Sequence, residues 1–324
     1  MGSLILGVAL DGRGAHPAAA GGPPTTEEFV RLVRRAEAAL LDFVTVEDGP
    51  GRPDSALLLA VAARETSRIG LVPLGPALGQ PAAYAARYAT LDVLSGGRAG
   101  VRPRIAADDI EHERILAILG TPEGDRQVAE LFDRGAGFLE RVGLAWDGAD
   151  PSVAAPQGRP PLISLAHDTV PYRFAARRSD VVIVTPADAG VLRATRARID
   201  RFAAEEGRTL KVLADVNVVL GSTPAEAAER LTALEEAAGE PFASDAAVFH
   251  GTAQGLADLI EEWHREGGAD GVRIRPAVLP ADLDALVEGV VPELIGRGLL
   301  RSAYETRTLR GHLGLAAAVP EGAS

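Results

Sequence analysis

The sequence predicts an α/β protein, a (β/α)8 barrel of the TIM type, on three observations. Short apolar runs alternate eight times with longer helical patterns. The runs are near-continuous in apolar residues, as strands covered on both faces are. The chain has 324 residues, enough for a barrel of about 250 residues with additions. A doubly wound open sheet closes with fewer strands.

The elements follow in order. The first strand is predicted over 4–10 (LILGVAL). A helix over 25–40 has Phe29, Leu32, Val33, Ala36 and Leu40 on one face, with Thr25 or Thr26 as cap. Strand two is FVTVED (43–48), with a helix over 54–66. Strand three covers 69–78, with a helix over 82–94, and strand four covers 97–105. Helices are expected over 109–119 and 124–144, then a Pro/Gly-rich connection over 147–161. Strand five covers 161–167, with a helix to 178, and strand six covers 181–186, with a helix to 206. Strand seven covers 210–221, with helices over 224–238 and 252–266. Strand eight covers 271–278, with a last helix over 281–297. No composition break divides the chain, so residues 1–298 read as one barrel domain and 299–324 as a C-terminal arm.

Composition removes several function classes. There is no cysteine, so thiolate chemistry, Cys-ligated zinc and iron–sulfur clusters are out. The net charge of −12 disfavours a general nucleic-acid binder. Lys211 is the only lysine, so Schiff-base chemistry would rest on it alone. No apolar run approaches the ~20 residues that span a bilayer. The expectation is a soluble, cytoplasmic protein without a membrane partner.

In a barrel, chemistry sits at the C-terminal ends of the strands. That filter selects residues 11–16, Glu47, Asp48, residues 75–80, Arg102, Arg104, residues 167–173, residues 185–188, Arg273 and Arg275. Of the six histidines, His264, His112, His312 and His250 fall on surface helices, in the arm or before a helix start, whereas His16 and His167 end strands. No metal-ligand spacing, nucleophile elbow or GxxxxGK[ST] loop is present. Pro171 suits the first turn of a helix, so the backbone N–H groups of Asp168, Thr169 and Val170 form a candidate phosphate site, with Tyr172 and Arg173 in reach. The same residues also read as a capped helix end with no ligand. The arginine pairs Arg102/Arg104 and Arg273/Arg275 each point one way, into the barrel or into the helix layer. Inside a barrel they must meet carboxylates or an anion, and Asp48, Glu47 and Asp215 are possible partners.

Several stretches together resemble the bacterial-luciferase-like flavin-dependent monooxygenases, in the nitrilotriacetate and dibenzothiophene-sulfone monooxygenase branch. They are VALDGRGAHPAA (8–19), LLDFVTVEDG (40–49), SRIGLVP (67–73), YATLDVLSGGRAGVRPRI (88–105), LAHDTVPYRFAARRSDVVIVTPAD (165–188), GVRIRPAVLPADL (271–283) and VPELIGRGLLRSAYETRTLRGHLGL (291–315). The resemblance implies a luciferase-like barrel, a homodimer or larger oligomer, and reduced FMN supplied by a separate flavin reductase. It implies oxygenation of a small organic substrate with O2. A deazaflavin coenzyme used for hydride transfer, and a flavin-binding paralogue without turnover, are the alternative readings. Carried over by position, Asp48 matches an acid near the flavin ring, and Arg102 and Arg104 match polar residues lining it. Asp168 and Thr169 match the phosphate-holding turn, with Tyr172 or Arg173 beside it. His16 matches a histidine on the substrate side. His16 or His167 is the expected acid–base residue, and Arg104 the expected electrostatic catalyst. This chain departs from the family pattern at the apolar run 74–80, at Val101, at Tyr172 and in a shortened insertion between strands four and five.

Overall fold

A computed structural model describes residues 3–19, 22–49, 52–105, 120–148 and 155–316. Its parallel strands are β1 (Ile5–Ala9), β2 (Phe43–Val46), β3 (Gly70–Pro76), β4 (Arg102–Arg104), β5 (Ile163–Leu165), β6 (Val181–Val184), β7 (Lys211–Leu220), β8 (Ala247–Gly251) and β9 (Gly271–Pro276). The order β4-β3-β2-β1-β9-β7-β6-β5 makes an eight-stranded wall. A parallel bridge between Val101 and Leu162 closes it, with Val101 N–H donating to Pro161 O at 2.9 Å.

β8 is additional to the eight expected strands. β7 has ten residues, and only its first part lies beside β6. Beyond Ala214 that edge is free, and β8 pairs along it from Val216 to Leu220. The run AVFHG gives no buried-strand signal in the sequence, because its side chains are mostly half-exposed. β4 is shorter than the expected 97–105; Ala99 and Val101 join the sheet only by single bridges. The helix expected over 109–119 lies outside the described residues, as do 149–154 of the connection.

The helices alternate with the strands: α1 (Thr26–Ala38), α2 (Ser55–Arg64), α3 (Pro81–Ser95), α4 (Pro122–Asp147), α5 (Thr169–Arg178), α6 (Ala189–Glu205), α7 (Pro224–Ala238) and α8 (Ala253–Arg265). Their starts follow local chemistry. Thr25 and Glu28 form a reciprocal capping box on α1, and Asp54, Thr121, Asp188, Thr223 and Thr252 cap later helices. The expected last helix is α9 (Ala281–Ala285) running through a π turn (Leu286–Val290) into α10 (Val291–Gly296). Pro292 has no N–H to donate, and a widened turn absorbs that loss. Among the described residues no helix is long and apolar enough to cross a membrane.

Side-chain alternation divides the barrel interior into two levels. At the N-terminal end of the strands, Ile5, Phe43, Val72, Ile163, Val181, Ile183 and Leu213 form one buried cluster. Leu309, on the short α11 (Leu309–His312), and Leu313 complete it, both with no exposed surface. Burying a leucine fully is worth about 2–3 kcal/mol. The chain reaches this floor by anchoring on the β1–β2 region: Arg301 pairs with the buried Asp42 and donates to Leu40 O, and Tyr304 Oη donates to Leu41 O at 2.6 Å.

The TLDVLSGGRAG stretch is also structural. Gly96 and Gly97 take φ of +68° and +89°, a left-handed pair that turns the chain sharply after α3. Arg98 then fills its guanidinium with the carbonyls of Ser95, Ile69, Ala63 and Thr66 at 2.7–3.1 Å. Asp92 accepts from Ala99 N at 3.0 Å and Gln157 Nε2 at 2.6 Å. Burial pushes its carboxyl up to about 6, against those bonds.

Candidate active site

The upper level of the interior is ionic. In β2 the residues alternate, so Phe43, Thr45 and Glu47 share the inward face and Asp48 takes the other. Both arginine pairs face into the barrel. Arg273 makes a bidentate pair with Asp215 across neighbouring strands, Nε–Oδ1 2.8 Å and Nη2–Oδ2 2.7 Å. Both side chains are essentially without exposure. Burial alone would lower the arginine's pKa; Asp215, Asp11 and Glu47 outweigh it and hold the cation.

Arg102 pairs through Nη2 with Glu47, while its side chain is only 4% exposed. Among the described residues its Nε and Nη1, and Nε of Arg104, are buried without a hydrogen-bond partner. A buried guanidinium donor left unmet is costly and marks a place where a ligand can supply acceptors. Glu47 would be raised by burial, but Arg102, through charge and hydrogen bond, with Arg273 and Arg52, brings it below the usual range. Glu47 N–H donates to Asp11 Oδ1 at 2.7 Å. Asp11 is pushed up, first by burial and then by the neighbouring Glu47, against Arg102 and Arg273. The two adjacent acids therefore differ, with Glu47 the more readily ionised.

The network continues across the mouth. Arg275 reaches Asp215 at 3.7 Å and Asp245 at 2.7 Å. Asp245 lies 3.6 Å from His167 Nε2, and His167 Nδ1 lies 3.0 Å from Thr185 Oγ1. Arg102 and Arg104 thus stand at the end of β4, and His167 after β5 faces Asp245 and Thr185. The structure places the other expected residues elsewhere. Asp48 turns to the start of α2, 3.4 Å from Ser55 N and Oγ. His16 is buried against the Phe242 ring, with centroids 4.5 Å apart. Its Nδ1 accepts from Ala18 N–H at 3.1 Å, its Nε2 has no partner, and burial lowers its pKa against the pull of Glu235. No hydrogen bond or ion pair links it to the arginines among the described residues.

At the start of α5, Asp168 caps with its own side chain, accepting from Thr169 N–H at 2.6 Å. Pro171 has no N–H, and Tyr172 N–H is taken by Asp168 O at 2.9 Å. Of the three expected donors, Thr169 N–H is the one taken by the cap. The cation at this end is Arg198 of α6, which bonds Thr169 Oγ1 and lies 5.6 Å from the centroid of the Tyr172 ring. Tyr172 is buried in the helix-side core, and Arg173 turns to Glu205 at 3.2 Å.

Sequence reasoning did not single out Arg198, Asn217 or Asp245. Arg198 lies mid-helix and Asp245 lies before a strand that carried no signal. Asn217 could have been found, two residues after Asp215 on the inward face of β7. Among the described residues no group of acids and histidines is arranged to hold a metal ion.

The chain has close parallels among known proteins. Its residues 5–279 match the family model for luciferase-like monooxygenases. It is 26% identical to nitrilotriacetate monooxygenase component A of Aminobacter aminovorans, over 89% of each chain. It is 27% identical to dibenzothiophene-sulfone monooxygenase of Rhodococcus erythropolis, over 81% of this chain and 79% of the other. The first alignment runs over 405 positions against 324 residues here, so that relative carries segments this chain lacks. The EDTA monooxygenase of Chelativorans sp. BNC1 superposes with a TM-score of 0.82 at 21% identity, over 98% of this chain and 99% of the other, which fixes the barrel. The chain belongs to the luciferase-like monooxygenase family.

Proposed function

We propose that this enzyme is a two-component flavin-dependent monooxygenase. It takes reduced FMN from a separate flavin reductase and uses O2 to oxygenate a small organic substrate. Family membership supports the reaction class. The observation that carries the cofactor is the set of buried, partnerless donors on Arg102 and Arg104 at the strand C-terminal ends. A reduced flavin is acceptor-rich and anionic, and such donors fit it. Glu47 fixes the Arg102 fork, and Arg198 with Thr169 is the cationic end suited to a phosphate. When bound, the flavin would supply the O2 chemistry; the protein supplies position and charge. His167 is the acid–base group, exposed at the mouth and held by Thr185. Asp168, Tyr172 and Arg173 shape the phosphate end. The reading includes a homodimer in the cytoplasm.

Anaerobic titration with oxidised and photoreduced FMN tests this. Reduced FMN should bind more tightly than oxidised FMN. Arg102→Gln should weaken the reduced form about tenfold, or about 1.4 kcal/mol. No binding of either form, with binding of a deazaflavin coenzyme instead, would move the assignment to hydride transfer. No binding of any of them would point to a paralogue without turnover.

A further inference from the structure

The unexpected strand β8 brings a residue to the mouth that no position in the eight-unit pattern foretold. Its lead-in, residues 244–246, is clamped from inside the barrel. Asn217 Nδ2 donates to Ser244 Oγ at 2.8 Å and to Ala246 O at 3.3 Å. Arg275 Nη1 donates to Asp245 Oδ1 at 2.7 Å, and Ser244 Oγ donates to the same oxygen at 3.1 Å. Arg275 thus holds the carboxylate directly, while Asn217, on the adjacent barrel strand, holds the residues on either side of it. Its second oxygen lies 3.6 Å from His167 Nε2.

We propose that Asp245 is a positioning residue that fixes the ring orientation and tautomer of His167. The inference rests on the reading of His167 as the acid–base group. A carboxylate only accepts hydrogen bonds, so it favours the proton on the facing Nε2. The Nδ1 lone pair then accepts from the Thr185 hydroxyl, 3.0 Å away. Burial would raise the Asp245 carboxyl, but Arg275, with His167, brings it below the usual range, so it stays an acceptor. The ring is thereby held in one orientation and one tautomer, with its Nε2–H facing Asp245.

The test is 15N NMR of the His167 ring in the full-length protein, wild type against Asp245→Asn, Asp245→Glu and Thr185→Val. Wild type should show the proton on Nε2. Asp245→Asn should shift both ring resonances towards a mixed tautomer, and Asp245→Glu should keep the wild-type pattern. An Asp245→Asn ring unchanged from wild type would overturn the proposal, as would a shift seen only in Thr185→Val. Reduced-FMN titration of the same proteins separates the two readings. Binding unchanged within about twofold in Asp245→Asn, with the tautomer shifted, places the effect at the imidazole. If wild type does not bind flavin, the monooxygenase reading falls, and the tautomer shift alone decides Asp245.

Discussion

The two ends of the barrel are built on opposite principles. The floor is apolar and closed by Leu309 and Leu313 from the far end of the chain. The mouth is ionic, with Arg273–Asp215, Arg102–Glu47 and Arg275–Asp245 stacked towards the strand ends. Two of the stretches that carry the family resemblance, TLDVLSGGRAG and the segment 291–315, serve the floor and its surroundings. These stretches therefore report on how the chain folds rather than on what its mouth binds.

The comparison can be broken at the mouth first. Asp215→Ala leaves the buried Arg273 guanidinium without its bidentate partner. Removing one member of such a pair costs about 3–5 kcal/mol, read by urea unfolding. The double variant Arg273→Met/Asp215→Leu should recover most of that loss, because an apolar pair of similar volume carries no desolvation cost. If Asp215→Ala is silent, the ionic level is not a structural layer. Next comes the floor. Leu309→Ala should cost about 2–4 kcal/mol through lost burial and a residual cavity, without changing reduced-FMN affinity. An effect on affinity larger than on stability would merge the two ends into one unit.

The smallest effect concerns pH. His312 Nδ1 lies 2.9 Å from Thr306 Oγ1 and its Nε2 lies 2.8 Å from Arg68 O. Burial, with the Arg301, Arg68 and Arg98 charges, lowers its pKa to about 4, against the bond to Arg68 O. The unfolded chain takes up that proton near the ordinary value of about 6.5, while the folded one resists it until about 4. The stability difference between wild type and His312→Gln should therefore fall as pH drops from about 6.5 to about 4. A difference constant across that window would show that burial does not hold the ring neutral.

Much of the frame was legible in the sequence because it rests on local rules. Apolar runs gave the eight wall strands, and Thr25 gave the start of α1. β8 was not legible, since AVFHG leaves most of its side chains half-exposed and borrows its order from the long edge of β7. At the mouth, the i, i+2 spacing of Arg102/Arg104 and Arg273/Arg275 carried a shared direction for each pair and left open whether it was inward. Their partners needed the sheet register. The strand parity that puts Thr45 inside also puts Glu47 beside Arg102 and turns Asp48 towards Ser55. Arg198 and Asp245 reach the region from neighbouring elements, a relation that no local pattern encodes.

The floor plug bears on how the molecule is made. Residues within a dozen positions of the end of the described chain supply the last apolar pieces of a cluster that begins at Ile5. A ribosome makes all nine strands before those pieces exist as protein. Until then the lower strand ends stay wet, and the earliest segments wait on the latest for their partners. Loop closure over some 300 residues is slow relative to local helix formation, and exposed strand ends invite intermolecular pairing in the interval. For this enzyme, production yield should therefore depend on the integrity of its final helix, far from any reacting atom.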